Sequence, residues 1–211
     1  MNIVLFGVGG HARVVAEVVN LEGKYNVVGL VSDRSVSSSF LAPSEVVGTN
    51  SELANIIVRF EVQGAIVALG EARARERLGL LAGEHDLMLV KSIHPKAIIS
   101  SETTIGEGSV VTAGAVVNSG TSIGAGCIIN TLSSVDHDCK LGDFVHVCPG
   151  AVITGTVTIG NRTWVGAGAV IVDHIDIGRD VFIEAGARVI EDIPDSHRVL
   201  RDGLVRRRSS L

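Results

Sequence analysis

"IHPKAIISSETTIGEGSVVTAGAVVNSG", residues 93–120, places Ile93, Ile99, Ile105, Val111 and Val117 six residues apart. The spacing continues without a slip through Ile123, Ile129, Val135, Leu141, Val147, Ile153, Ile159, Val165, Ile171, Ile177 and Ile183 to Val189. Six matches neither the 3.6-residue helical period nor the alternation of a single strand; it fits one short strand plus one corner, and three such units close a triangular coil. Four residues after each aliphatic stands a small or aliphatic residue, as at Ala97, Ser109, Ala115, Cys127, Ser133, Cys139, Ala151 and Ala187. Strand positions two apart share a face, so this residue and the next aliphatic both point into a narrow interior. Cys127 and Cys139 thereby become buried fillers, and Cys148 faces outward.

Composition agrees. Hydrophobic residues make up 46% of the 211, aromatic ones only 3%, and there are 25 glycines against 4 prolines, which favours tightly turning sheet over helical bundles. A net charge of −5 without a basic stripe argues against nucleic acid as the partner. No apolar run is long enough to span a membrane and "MNIVLFGVGG" has no basic leader, so the expected location is cytoplasmic, with no membrane partner. Three cysteines without CxxC spacing suggest neither a disulfide framework nor a zinc knuckle.

Glycine recurs at the fourth position of the unit, at Gly108, Gly114, Gly120, Gly126, Gly150, Gly168 and Gly186, where a sharp corner demands positive φ. Corner pairs without glycine therefore draw attention, among them His137 and Asp138. Corner side chains leave the prism. An imidazole with an adjacent carboxylate has the make-up of a general base and its orienter, with Asp136 as the rival orienter. A solvated surface histidine is the plain alternative; a metal site built from His137, Asp138 and His146 lacks supporting spacing.

The first 92 residues read differently. "MNIVLFGVGGHARVVAEVVN" is a buried strand, a glycine turn and a helix with Val14, Val15, Val18 and Val19 on its apolar side. Gly7, Gly9 and Ala12 match GxGxx(G/A), and a second strand, "NVVGLV", leads to Ser32 and Asp33. A third strand ends at Gly70, before a helix carrying Arg73 and Arg75. About 90 residues suit half of a doubly wound domain and one nucleotide. Its phosphates would rest on the amides around Gly9, Gly10 and His11 at the helix N-terminus, Asp33 would accept from a ribose or base, and Arg73 or Arg75 would neutralise phosphate. A purely structural α/β cap is the alternative.

The repeat resembles that of the hexapeptide-repeat acyltransferases, which implies a left-handed parallel β-helix, a homotrimer and active sites between adjacent prisms. With "GVGGHARVV" in a short α/β domain joined directly to an uninterrupted prism with its "HD" corner, the whole chain resembles the bacterial nucleotide-amino-sugar N-acetyltransferases, relatives of the sialic acid O-acetyltransferases. The resemblance implies residues 1–92 as an α/β nucleotide-sugar-binding domain, with Gly9, Gly10, His11, Ser32, Asp33, Gly70 and Arg73 around the substrate. It implies 93–194 as the acetyl-CoA-binding and catalytic prism and 195–211 as a tail. His137 and Asp138 become the catalytic pair, the Gly155 amide the oxyanion donor, His146 an acetyl-CoA contact, and Ala167 and Ala185 the lining of the pantetheine groove. The tail "VLRDGLVRRRSSL" lacks the proline-containing closing turn common in that family. The implied reaction is direct transfer from acetyl-CoA, a co-substrate with no permanently bound cofactor or metal, to the amine of a UDP- or GDP-linked 4-amino-dideoxy sugar. A sugar O-acetyltransferase and a non-catalytic assembly protein are the competing readings.

Overall fold

A computed structural model describes residues 1–33 and 46–207. The chain divides into two compact units, Met1–Pro95 and a second from Lys96 on.

In the first unit, β1 (Asn2–Phe6), β2 (Asn26–Val31), β3 (Val46–Gly48), β4 (Gly64–Val67) and β5 (Met88–Leu89) form a parallel sheet in the order β3-β2-β1-β4-β5. Residues 3–6 of β1 are all buried, as expected of a central strand covered on both faces. Helices α1 (Gly10–Glu22), α2 (Leu53–Phe60) and α3 (Ala72–Glu84) flank it. The core joins Val4, Phe6, Val31, Leu53, Ile56, Val67 and Leu78. Helix α1 buries Ala12, Val15, Val18 and Val19 and leaves Val14 exposed, so its buried stripe is narrower than the four-valine face expected. The strand order reverses between β1 and β4, which makes the crevice beyond their carboxyl ends the place for a ligand. The unit closes with β6 (Ser92–Ile93), where the Glu22 carboxylate accepts from Ser92 Oγ at 2.7 Å and the Ile93 amide at 3.2 Å. His94 is buried here as well.

The second unit is the predicted prism, a left-handed parallel β-helix. Two-residue strands β7 to β22 recur every six residues from Ile98–Ile99 to Arg188–Val189. Successive strands join three different parallel sheets, so each pairs with the strand 18 residues away, as Val117 with Val135 and Val135 with Ile153. The expected aliphatic ladder is buried from Val111 to Val189, and the small inward residues fill between: Ser109, Ala115, Cys127, Ser133, Cys139, Ala151 and Ala187 are each fully buried. The polar fillers find partners on corner and strand-end carbonyls; Cys127 Sγ donates to Gly142 O and Cys139 Sγ to Thr154 O, both at 3.1 Å. Cys148 occupies an outward position yet is only 4% exposed.

The fourth-position glycines all take positive φ. So do Leu132, Asp138, Phe144, Thr156, Arg162, His174 and Asp180 at the same position, with φ between 55° and 61°. A corner without glycine thus makes the same turn, and the absence of glycine marks no site by itself. The inward/outward assignment has a direct check in denaturant unfolding. Ile153→Ala is expected to cost about 2–5 kcal/mol through the cavity it leaves, and Thr158→Ala on an outward position within about 0.5 kcal/mol.

The tail continues the prism: β23 (His197–Val199) pairs parallel with β21 (Phe182–Ile183). A turn at Gly203, φ 87°, then returns β24 (Val205–Arg207) antiparallel. Arg198 ion-pairs with Glu184 at 2.7 Å and covers the Phe182 ring.

Candidate active site

Residues 18 apart stack on successive coils, so the corner holding His137 is a small array. Asn118, Asp136 and Thr154 follow strands β10 (Val116–Val117), β13 (Ser134–Val135) and β16 (Val152–Ile153). Ser119, His137 and Gly155 form the next row, and Gly120, Asp138 and Thr156 the last. The backbone ties the rows together, with the Asp138 amide donating to Ser119 O at 3.0 Å and the Thr156 amide to His137 O at 2.9 Å.

On this array His137 Nδ1 lies 2.9 Å from Asp138 Oδ2. A carboxylate only accepts, so in the neutral imidazole Nδ1 carries the proton and Nε2 the lone pair. The two side chains are 57% and 66% exposed, which leaves the pair open to a substrate. Asp136, the rival orienter, is turned elsewhere: its Oδ1 accepts from Asn118 Nδ2 and from the His137 amide, each at 2.8 Å. The Asp138 hydrogen bond first, then the Asp136 and Asp138 charges, raise the His137 pKa above the ordinary histidine value, against the effect of partial burial. The Asn118 and His137 hydrogen bonds hold Asp136 below the usual carboxylate range.

Gly155 lies under the imidazole, and a β-carbon there would stand 2.6 Å from His137 Cε1 and Nε2. Gly120 makes the matching space for Asp138, whose Oδ1 would be 2.5 Å from a β-carbon at 120. Both glycines are legible as neighbours at ±18 once the coil is known. Among the described residues no hydrogen bond uses the Gly155 N–H, whereas the equivalent amides of Ala125, Asp143 and Arg179 are capped by Asp143, Asn161 and Asp195. Cys139 is no nucleophile here: it points inward, and burial pushes its thiol pKa up.

His146 stands in β15 (His146–Val147), on a different face of the prism, and is only 4% exposed. Its ring meets the edge of Trp164 at 4.4 Å between centroids. Asn130 Oδ1 accepts from the Thr131 amide, which turns Asn130 Nδ2 toward His146 Nε2 at 3.1 Å. Nε2 is therefore the acceptor and Nδ1 the protonated nitrogen. Ala167 and Ala185 are exposed and stacked on the corner that follows this face, joined by the Gly186 amide donating to Ala167 O. The structure thus gathers His137, Asp138 and Gly155 at one corner, and His146, Ala167 and Ala185 along another face and its corner. Within one prism the two sets do not meet.

In the first unit the predicted residues follow the carboxyl ends of β1, β2 and β4. Gly7 has φ 128°, and a β-carbon there would meet Ala68 O at 2.9 Å. Gly9 caps α1 with no side-chain hydrogen bond, and nothing lies within 4 Å of a β-carbon at Gly9 or Gly10. Burial, and then the Arg75 charge, lower His11 to about 4, so it is neutral near pH 7. Arg75 is 1% exposed and its guanidinium donates to the carbonyls of Leu69, at 3.1 Å, and Gly70, at 2.6 Å; it braces the loop and is not a surface phosphate ligand. Arg73 is exposed at the start of α3, where Glu71 caps the amides of Arg73 and Ala74. The Ser32 amide donates to Gly48 O. Both Asp33 oxygens accept from Asn50, at 2.9 and 2.6 Å, so a ribose would share that carboxylate with the protein. Among the described residues no cluster of three or more His, Cys, Asp or Glu could hold a metal ion, and no helix is long and apolar enough to cross a membrane.

Comparison with known proteins follows the same division. Residues 2–79 match the PglD N-terminal domain, and residues 156–191 the six-repeat bacterial transferase hexapeptide. The acetyltransferase domain of PglB from Neisseria gonorrhoeae is 38% identical with a TM-score of 0.87, covering 94% of this chain and 95% of that one. A mutant of perosamine N-acetyltransferase from Caulobacter crescentus, in complex with CoA and GDP-perosamine, is 34% identical with a TM-score of 0.90, over 98% and 97%. UDP-N-acetylbacillosamine N-acetyltransferase from Bacillus subtilis is 35% identical over 123 residues, 53% of this chain and about half, 51%, of that protein. With both domains matched in order and two structures aligned along nearly their full length, the chain belongs to the bacterial nucleotide-amino-sugar N-acetyltransferase family of hexapeptide-repeat acyltransferases.

Proposed function

We propose that this chain transfers the acetyl group of acetyl-CoA directly to the amine of a UDP- or GDP-linked 4-amino-dideoxy sugar, with His137 as general base. The observation that carries the reading is the His137–Asp138 pair, with Nδ1 held at 2.9 Å and the imidazole seated on Gly155. The relatives' names, and the CoA and GDP-perosamine bound by the Caulobacter protein, support the substrate class.

The amine nitrogen attacks the thioester carbonyl as Nε2 takes its proton. The C–N bond forms and the carbonyl electrons move onto oxygen, where the Gly155 N–H donates to the oxyanion. Collapse breaks the C–S bond, and the departing thiolate takes the proton from the imidazolium. No acyl-enzyme is needed.

The nucleotide is assigned to the β1/β4 crevice, with its phosphates on the amides at the start of α1. The enzyme is taken to be a homotrimer, because a site that uses both His137 and His146 needs two prisms. Ile98, Val152 and Val170, exposed on the outward side of the β7–β22 sheet, supply apolar surface for such contacts.

The test is CoA release from acetyl-CoA against UDP-, GDP- and dTDP-linked 4-amino-dideoxy sugars and free sialic acid, across pH. Turnover on an amino-sugar nucleotide is expected; activity on sialic acid alone would move the reaction to a hydroxyl. Because the His137 pKa is raised, imidazolium persists to higher pH. The rate should therefore climb through that raised value and fall away on acidification. Asp138→Asn removes the largest cause of the shift, so the acid limb should move to lower pH while the plateau drops by about 10²-fold, the low end of a general base's contribution.

A further inference from the structure

The reading of His137 as base leaves Asn118 and Asp136 without a part. Both are outward residues one coil apart, placed immediately before their corners. Asp136 Oδ1 is shared between Asn118 Nδ2 and the His137 amide, at 2.8 Å each. A carboxylate next in sequence to the base would, if released, compete with Asp138 for the imidazole or for an approaching ammonium group. Anchored by Asn118, it instead clamps the backbone from which the imidazole projects.

We propose that Asn118 is a positioning residue for acetyl transfer: by holding the Asp136 carboxylate on the His137 amide, it fixes the corner that carries the His137–Asp138 pair and keeps Asp136 off the ring. The proposal rests on His137 being the base. Asp136 then serves in two separable ways, as the acceptor that Asn118 aims and as a negative charge beside the imidazole. Other charged groups on the stacked corners are Glu102, which accepts from Ser119 Oγ at 3.0 Å, and the Asp173–His174 pair at 3.8 Å, on the corner beyond Gly155.

Two variants separate the roles. Asp136→Asn keeps an amide oxygen for both donors and loses only the charge. It should keep most of its plateau kcat, while the acid limb of the pH profile moves to lower pH as the His137 pKa falls. Asn118→Ala leaves the charge and loses the clamp. Its kcat should fall about tenfold, as expected when a positioned group is loosened. KM for both substrates should stay at wild-type values, and the thermal transition should be unchanged. Wild-type kcat in Asn118→Ala, or a loss that appears in KM, would overturn the proposal. So would a plateau in Asp136→Asn as low as that of Asn118→Ala, since charge would then be the cause. NMR of the same proteins gives a readout that does not require turnover. The His137 amide proton, carried downfield by the Asp136 carboxylate, should move upfield in Asn118→Ala as the clamp loosens, and also in Asp136→Asn, whose neutral amide oxygen is the weaker acceptor. An unmoved resonance in Asn118→Ala would sink the proposal even if another residue proved to be the base, and a moved one would sustain the clamp while the activity data alone judged the base.

Discussion

His137→Ala is expected to lower kcat by about 10²–10⁴-fold, the contribution of a well-placed general base, with little change in KM or thermal stability. The stability expectation follows from the side chain, which is 57% exposed and leaves the prism, so its removal opens no internal cavity. The corner backbone stays tied through the Asp138 and Thr156 amides, neither of which involves the imidazole. What disappears is the Nε2 lone pair, while the Gly155 amide and Asp138 remain. The vacated space over Gly155 also offers a positive control: added imidazole should restore part of the rate, most at a pH where it is neutral. His137→Asn provides a polar side chain that cannot take up the proton, and should be nearly as slow as the alanine variant. Near-wild-type turnover in both would remove His137 from the chemistry and leave proton transfer to solvent.

The fold was legible because a triangular coil forces an inward residue at fixed spacing, and aliphatics from Ile93 to Val189 answer that demand without interruption. Burial at outward positions was not legible from the same pattern, because it depends on a neighbour 18 residues away and on the size of its side chain. Cys148 and His146 are both buried at such positions, His146 against Trp164, 18 residues on, and beside Asn130. The corner rule was legible for glycine, but the coil also drives Leu132 and Phe144 into the same positive-φ turn, so intrinsic preference does not decide where a corner falls. At the candidate site, the adjacency of His137 and Asp138 in sequence translates into a real hydrogen bond. The division of labour between Asp138 and Asp136 was hidden, because only the stacked coil shows Asn118 occupying Asp136. In the first unit Arg75 looked like a phosphate ligand until helix α3 turned it inward onto Leu69 and Gly70, a rotation that sequence spacing alone does not specify.

Gly155→Ala carries the second large expectation: kcat lower by about 10²-fold, the scale of a misplacement near 1 Å at a reacting group, in a protein that folds normally. Gly155 is not among the positive-φ residues of its corner, where Thr156 takes that conformation at φ 61°, so an alanine backbone fits without strain. The conflict is with the imidazole, whose Cε1 and Nε2 would lie 2.6 Å and Nδ1 3.2 Å from the new β-carbon. An exposed ring yields more readily than the coil, so His137 swings away. That movement breaks the Nδ1–Asp138 bond and carries Nε2 away from its place over the Gly155 amide. Since that bond is the largest cause of the raised His137 pKa, an NMR titration should find the histidine shifted back toward its ordinary value in the variant. A double-mutant cycle isolates the cause. On the His137→Ala background the ring is gone, and Gly155→Ala should cost only what the methyl group takes from the approach of the thioester oxygen to the amide. A penalty as large there as in the wild-type background would mean that Gly155 serves the oxyanion and not the histidine, and a negligible penalty would mean that its missing side chain exists to seat the base.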